Sequence, residues 1–184
     1  MTSYENRPVL VCTWGGKALV VTFTIDALLE KKVDIGKVVV IHHAPPRKED
    51  RLRQALAIIE QQVHDHYQNQ FTFQSIRIQD PDKRSAITDL NDTAALSAVW
   101  ETLSQTIVNL KKEHPEIHFC FTGGRRLLAM QAMAVLSLHA TPEDHIWHLY
   151  TPDALREAAS TNKILHVDSS KVSPPPHLIR VPLV

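Results

Sequence analysis

Short apolar segments alternate with segments of helical periodicity along most of this chain. The apolar segments have the length of buried strands and lie at residues 8–13, 37–41, 71–78, 117–121 and 146–150. Between them, apolar residues recur at helical spacing in residues 18–31, 47–67, 127–138 and in the stretch after Asp92. Continuous apolar strands are typical of a parallel sheet that is covered on both faces. The alternation therefore predicts a single α/β domain, with a Rossmann-like parallel sheet, helices on both faces and right-handed crossovers.

Several local features of this pattern can be checked in a structure. The first helix is expected to be amphipathic, with Leu19, Phe23 and Leu28 near one face. Asp92 can cap the third helix, and the polar stretch from residue 80 to residue 91 is expected to be an exposed loop. Core packing is the expected role of Trp100 and Trp147.

Four of the five glycines, and both cysteines, fall in two segments of the same design. One segment follows the first strand and the other follows the fourth strand, and a helix is predicted after each. A glycine pair allows a sharp turn and close approach of a ligand, and a helix N-terminus favours an anion. Basic residues follow both pairs. The residues concerned are Thr13, Trp14, Gly15, Gly16 and Lys17 in the first loop, and Thr122, Gly123, Gly124, Arg125 and Arg126 in the second.

Ligands of such sheets bind beyond the carboxyl ends of the strands, where the strand order reverses. If the first and fourth strands are neighbours, the two glycine loops meet there and form one site for an anionic ligand. His42 and His43 end the second strand at the same edge, although surface histidines are common. Asp89 can be brought near this site by its loop, or can simply be a solvated loop residue. Trp14 can stack on a base or seal a subunit interface.

Known phosphate-binding and metal-binding motifs are missing from the sequence. Neither glycine loop fits a Walker A motif or a dinucleotide-binding fingerprint. His64 and His66 are two residues apart on a predicted helix and point to different sides, and no His-Glu-x-x-His or Cys-x-x-Cys pair occurs. We therefore expect neither a metal site nor a cofactor.

The charge balance argues against long nucleic acid as a partner. Twenty basic residues balance 20 acidic ones, whereas proteins that bind duplexes usually have a basic excess. No segment is long and apolar enough for a membrane helix, and the first residues do not resemble a secretory signal. Cys12 and Cys120 are expected to be buried, free core residues of a cytoplasmic protein.

The regular alternation ends near residue 168. We therefore divide the chain into a ligand-binding domain, residues 1–168, and a Pro-rich C-terminal segment, residues 169–184. Three consecutive prolines, Pro174, Pro175 and Pro176, make part of this segment stiff and extended. The segment can be an edge strand or a linker.

The second loop carries a family resemblance. Residues 122–130, TGGRRLLAM, resemble the glycine-glycine-x-basic signature of CRISPR-associated Rossmann-fold (CARF) domains. Residues 9–16 with the following helix resemble the first strand and ligand loop of that family. Residues 89–92 and 142–150 are similar to its later segments, and the patterns look most like those of the small stand-alone ring nucleases.

The resemblance implies a homodimer that binds a cyclic oligoadenylate, most often the four-membered ring, across its two-fold axis. A symmetric ring on such an axis is met by two copies of each loop. The resemblance also implies cleavage without metal, by attack of a ribose 2′-hydroxyl on its own phosphorus, which positioning and charge stabilisation can promote.

By the same resemblance, Arg126 takes the basic position of the family and stabilises charge on the phosphate. Thr122, Gly123 and Gly124 supply hydroxyl and backbone contacts. The first loop departs from the family, which often has a small hydroxyl residue after the glycine, where this chain has Gly16 followed by Lys17. Thr13 is a candidate to replace that hydroxyl and Lys17 to supply charge.

Three functions are compatible with the sequence. The leading one is a ring nuclease that turns down a type III CRISPR response. The alternative is a non-catalytic CARF sensor domain that binds the same ring and controls an effector. A more distant possibility is a nucleotide-binding α/β protein with no CRISPR role.

Overall fold

The computed structural model describes residues 4, 6–43, 51–80, 85–121, 126–155, 164–168 and 170–182. These residues form six strands and four helices, in the order β1 (Val9–Thr13), α1 (Ala18–Glu30), β2 (Lys37–His42), α2 (Arg51–Asp65), β3 (Thr72–Arg77), α3 (Thr93–Glu113), β4 (Ile117–Cys120), α4 (Arg126–His139), β5 (His145–Tyr150) and β6 (His177–Val181). The order and type of the predicted elements are confirmed. None of these helices is long and apolar enough to cross a membrane.

The strands form one sheet in the order β3-β2-β1-β4-β5-β6. The first five are parallel, while β6 runs antiparallel to β5, with Tyr150 opposite His177. The chain winds outward from β1 to one edge and then returns to start again at β4, so the strand order reverses between β1 and β4. Of the two alternatives for the C-terminal segment, residues 177–181 are an edge strand. The division of the chain at residue 168 stays a prediction.

Two apolar layers cover the sheet, one on each face. Leu10, Cys12, Val38 and Val40 point to the side of α1 and α2. The alternate residues of the same strands point to α3 and α4, namely Val9, Val11, Val39 and Ile41. Because successive side chains of a strand face opposite sides, a sheet buried on both faces needs this continuous apolar sequence. The α/β architecture with helices on both faces is thus confirmed.

Helix α1 is buried on nearly all sides, so the prediction of an amphipathic helix was wrong. Ten of its 13 residues are buried. Residues 164–168 cover the side that would otherwise face solvent: Ile164, Leu165 and Val167 pack against this core layer, and the Thr22 hydroxyl donates a hydrogen bond to the Leu165 carbonyl. The outer side of α1 is therefore largely buried because a distant segment lies on it.

Other local predictions have mixed outcomes. Asp92 caps α3, since its Oδ1 accepts a hydrogen bond from the Ala95 N–H at 2.7 Å. Trp147 is buried as expected, whereas Trp100 is 37% exposed on α3, and its predicted core role was wrong. The loop before α3 is also less exposed than expected, because Leu90 is buried in the core layer below α3.

Both cysteines are free and buried, as predicted. A hydrogen bond with Cys120, together with burial, raises the pKa of the Cys12 thiol well above its usual value. The thiol therefore stays neutral, which suits a small apolar core residue.

Candidate functional site

The carboxyl ends of β1 and β4 lie side by side. The two strands pair in parallel, and their register places Cys12 opposite Cys120. The loops that follow them therefore leave the sheet at the same edge, at the point where the strand order reverses. The predicted adjacency of the two strands is confirmed. Four residues of the second loop, Thr122, Gly123, Gly124 and Arg125, lie outside the described residues, which resume at Arg126.

Glycine is required at position 16 for two reasons. Its φ angle is +101°, in a region that residues with a side chain rarely adopt. A Cβ atom there would also lie 2.9 Å from Cδ2 of Leu52, in the first turn of α2. Gly15, by contrast, is exposed and lies at the outer side of the turn. The first loop thus turns sharply against α2 and presents Gly15 to solvent.

Trp14 lies inside the protein. Its side chain is fully buried, its Nε1–H donates to the Lys17 carbonyl at 2.8 Å, and its ring meets that of His42 edge to face with centroids 6.0 Å apart. The indole is not exposed in this conformation, and its predicted contact with a base or at a subunit interface stays a prediction. Through its hydrogen bond to Lys17, the indole stabilises the turn between β1 and α1 from the interior of the protein. Sequence reasoning missed this role because the hydrogen-bond acceptor is a backbone carbonyl of the same loop.

Basic residues stand at the starts of α1 and α4. Lys17 is the exposed N-cap residue of α1, and Arg126 is the exposed first residue of α4. Neither helix has an acidic residue in its first turn. The positive end of each helix dipole therefore acts together with these two cations. The arrangement favours an anion such as a phosphate.

Thr13 ends β1 and is fully buried. Its hydroxyl is therefore not at the surface of this conformation. The described part of the first loop after it, residues 14–17, contains no other hydroxyl side chain. Thr13 thus lies next to the loop without being exposed to a ligand.

The two histidines at the end of β2 have different environments. His42 is only 2% exposed, and its Nδ1–H donates to the His43 carbonyl at 2.6 Å. Burial, with some help from the charges of Arg77 and His43, lowers the pKa of His42, so the ring is neutral. His42 is accordingly a buried residue beside Trp14, and its contact with a ligand stays a prediction. His43 is half-buried at the carboxyl edge.

Asp89 is half-buried in the loop before α3. Its Oδ1 accepts a hydrogen bond from the Leu90 N–H at 2.8 Å. Because α3 begins at the carboxyl edge of the sheet, Asp89 lies on the same side of the molecule as the first glycine loop. Its carboxylate contributes negative charge there, which suits a base or ribose better than a phosphate.

The comparisons with known proteins bear on the family. The sequence matches a family described as CRISPR-associated protein NE0113 over residues 18–184. The chain belongs to this family. No curated protein matches the sequence of this NE0113-family member. Its expected CRISPR association is thus confirmed at the level of the family.

One solved structure has a similar chain course. It is described as "Structure of a Type III CRISPR defence DNA nuclease activated by cyclic oligoadenylate", and the NE0113-family chain is 13% identical to it with a TM-score of 0.48. The similarity covers 78% of this chain and 18% of that one. The NE0113-family chain therefore spans less than a fifth of the length of that nuclease.

Two groups of histidine and carboxyl side chains in this NE0113-family member were missed in the sequence. One consists of Glu116, His118 and His145, and the other of Asp26, His66 and His166. Each group brings three potential ligand atoms within 4.8 Å of one another, while the expectation of no metal site stays a prediction. Motif spacing could not reveal them, because each set comes from separate elements.

The first of these groups lies at the amino ends of β4 and β5, opposite the glycine loops. His118 Nε2 is 2.6 Å from Glu116 Oε1, and His145 Nε2 is 3.2 Å from the same oxygen. A cavity of about 610 Å³ opens near this end, between the end of α4 and β6. Asp144, which lines it, is already held by Lys111 at 2.8 Å. Neither feature lies at the carboxyl edge of the sheet.

Proposed function

We propose that this CRISPR-associated chain binds a cyclic oligoadenylate, most readily the four-membered ring, at a homodimer interface and cleaves it without metal. The observation that carries the proposal is the pairing of β1 with β4, from whose ends both glycine loops leave. Phosphates of the ring would meet the N-termini of α1 and α4. The resemblance of residues 122–130 to the CARF signature, together with the CRISPR-associated family, supports this choice of ligand. Cleavage of the ring would turn down a type III response in the cytoplasm.

An exposed apolar stripe on α4 supports the dimer. Leu127 is 40% exposed, Met130 67% and Leu138 66%. These residues, with exposed Ala134 between them, recur at spacings of three and four and therefore share one side of the helix. Exposed apolar patches of this kind mark interaction sites. A second copy that covers the stripe would bring its own Arg126 to the same ligand, since Arg126 begins the same helix.

The proposed reaction opens the ring by transesterification. A ribose 2′-hydroxyl loses its proton and attacks the adjacent phosphorus, a new 2′-O–P bond forms, and the P–O5′ bond breaks. The 5′-oxygen takes up a proton, so the product is a linear chain with a 2′,3′-cyclic phosphate and a 5′-hydroxyl. No water or metal is consumed. The protein needs only to hold the hydroxyl in line and to stabilise charge on the phosphate.

Each loop residue has a proposed role. Arg126 stabilises the charge that develops on the phosphate, and Lys17 contributes to binding. In the second loop, backbone N–H groups and the Thr122 hydroxyl bind phosphate oxygens. The proposed contacts of that loop come from Thr122, Gly123, Gly124 and Arg125.

One observation favours the alternative, a sensor that binds the ring without cutting it. Thr13, the candidate hydroxyl of the first loop, is fully buried. The first loop therefore offers glycine backbone and Lys17 to the ligand, which is sufficient for binding. A sensor of this kind would control an effector in place of removing the signal.

Incubation of the full chain with labelled cyclic tetra-adenylate and EDTA separates these functions. Cleavage supports the ring nuclease, and tight binding without cleavage supports the sensor. If the ring neither binds nor is cut, the proposal is wrong and a different nucleotide must be sought. Lys17→Ala and Arg126→Ala should weaken these activities, and the matched control is Lys112→Ala, which removes an exposed cation near the end of α3, at the opposite edge of the sheet.

A further inference from the structure

Three elements that are distant in sequence bring together two histidines and one aspartate. Asp26 lies in α1, His66 directly follows α2, and His166 belongs to residues 164–168, which cover α1. One nitrogen or oxygen atom of each side chain lies within 4.8 Å of the others. Imidazole and carboxylate groups are ligands of zinc-like ions, whereas magnesium and calcium prefer oxygen alone.

The hydrogen bonds of His166 leave one of its nitrogens facing a carboxylate. Its Nε2 lies 2.9 Å from Oε1 of Gln62, which can only accept, so Nε2 carries a proton. Its Nδ1 lies 2.8 Å from Oδ2 of Asp26. In a neutral ring with a proton on Nε2, a lone pair on Nδ1 would face the carboxylate oxygen. The contact therefore requires either a second proton, carried on Nδ1 and shared with the carboxylate, or a metal ion beside the two atoms that binds both of them.

Asp26 is also held in place by a second group. The Tyr67 hydroxyl donates to Oδ1 of Asp26 at 2.7 Å, which leaves Oδ2 facing His166. Ligands in metal sites are typically oriented in this way, with the second nitrogen of a histidine donating and the second carboxylate oxygen accepting. Gln62 and Tyr67 thus provide the outer contacts of a metal site without being ligands themselves.

His66 is the third potential ligand. Its side chain is exposed, and its ring stacks on that of His166 with centroids 3.7 Å apart. Ligand atoms around a tetrahedral zinc ion are about 3.3 Å apart, as bond lengths of about 2.0–2.1 Å require. A ligand atom of His66 lies within 4.8 Å of those of the other two residues, so metal binding would require this exposed side chain to move closer.

We propose that Asp26, His66 and His166 bind one divalent transition-metal ion of the zinc class, with water as the fourth ligand. The ion joins residues 164–168 to α1 and to the end of α2. Its role is structural, because it holds in place the segment that covers the outer side of α1. It lies away from the glycine loops, since Asp26 is eight residues, or about 12 Å of helix, from the start of α1 at Ala18.

The other histidine group does not suit a metal ion. The Trp147 Nε1–H donates to Nδ1 of His118 at 2.9 Å. Because an indole N–H can only donate, Nδ1 must hold the lone pair, and Nε2 of the neutral ring must carry the proton. That proton points to Glu116 Oε1, so His118 has no lone pair left for a metal ion. The chemistry of the donors therefore distinguishes two groups that look alike by distance.

Calorimetric titration of the full chain with Zn²⁺, after dialysis against a chelator, tests the proposal. We expect one ion per chain and a loss of affinity of at least about tenfold in His66→Ala. His66 is exposed, so this variant should fold normally, whereas Asp26→Asn and His166→Ala also remove packing contacts. The matched control is His64→Ala, which removes an exposed histidine two residues away and should bind Zn²⁺ as the wild type does.

A thermal melt gives an independent measurement. With Zn²⁺ at about a hundredfold excess over its Kd, the wild type should melt at least about 5 °C higher, and His66→Ala should shift far less. Absence of Zn²⁺ binding by the wild type, or equal binding by His66→Ala and His64→Ala, would overturn the proposal. Loss of binding in His145→Ala would also overturn it, because the ion would then belong to the other group. Ring cleavage in EDTA, measured well below the melting temperature, is independent of these results.

Discussion

At the scale of single residues, the first glycine loop depends on backbone conformation and on an internal hydrogen bond. Gly16 adopts φ +101° against Leu52, while Trp14 fixes the Lys17 carbonyl from inside the protein. Lys17 is thereby held at the start of α1, with its side chain exposed. The position of this exposed cation thus depends on half-buried Gly16 and on fully buried Trp14.

Gly16→Ala should destabilise the protein by about 1–2 kcal/mol, because alanine is strained at this φ. The added Cβ must also displace the Leu52 side chain. Urea unfolding measures the change in the free energy of unfolding. Gly15→Ala is the matched control, since Gly15 is exposed and its φ is not positive. Equal effects of the two substitutions would contradict the conformational explanation.

Arg126→Ala should lower the cleavage rate by about 10²–10³-fold, the usual loss when one donor to a developing charge is removed. Lys17→Ala should mainly weaken binding, because Lys17 lies in the loop that departs from the family pattern. Single-turnover rates at saturating cyclic tetra-adenylate separate the two effects. Small and equal losses of rate in both variants would show that residues other than Arg126 and Lys17 promote the cleavage.

At the scale of elements, α1 and α4 differ in what covers them. Residues 164–168 cover α1 within the same chain. Helix α4 keeps exposed apolar side chains along one side, including Leu127 and Met130. Because α4 starts at the second glycine loop, a partner on this side would stand next to the proposed ligand. The dimer and the ligand site are therefore expected to be coupled.

Met130→Asp should convert the dimer into monomers and abolish tight ring binding, because a charge would be buried in the apolar contact. Light scattering with and without the ring measures the oligomeric state. Val108→Asp makes the same chemical change at an exposed apolar position of α3 and should leave the dimer intact. A wild-type chain that is monomeric in both states would rule out the symmetric site.

At the scale of the whole molecule, the two edges of the sheet have different properties. The carboxyl edge has two helix N-termini, exposed Lys17 and Arg126, and no acidic residue in the first turn of α1 or α4. The amino edge has the ion pair of half-buried Lys111 with buried Asp144, and the Glu116 group. The proposed ring cleavage takes place at the carboxyl edge, and no metal ion is proposed there.

If the 2′-hydroxyl of the ring is the nucleophile, the products must carry 2′,3′-cyclic phosphate ends. A ring with 2′-O-methyl groups at every ribose should bind but resist cleavage, since its phosphates and bases are intact. Mass spectrometry of the products from native and modified rings makes the comparison. Cleavage of the modified ring, or a rate that depends on added divalent ions, would show that water is the nucleophile.

The order of elements could be predicted because its causes are local. A buried parallel strand needs a continuous apolar run, and a glycine pair between a strand and a helix indicates a turn wherever it occurs. The adjacency of β1 and β4 followed from a general rule of strand order, and their register confirms it. The prediction that the ligand binds at the carboxyl edge of the sheet rests on the same rule.

Only the tertiary structure decided which side chains remain exposed and which distant groups meet. Trp14 is buried beside the ring of His42, and the outer side of α1 is largely buried because residues some 140 positions later lie on it. His66 and His166 are 100 residues apart in sequence, yet their rings stack. Such contacts depend on how whole elements pack. Periodicity and motif spacing describe only neighbours along the chain, so the sequence by itself determined the layers and the loops but not these contacts.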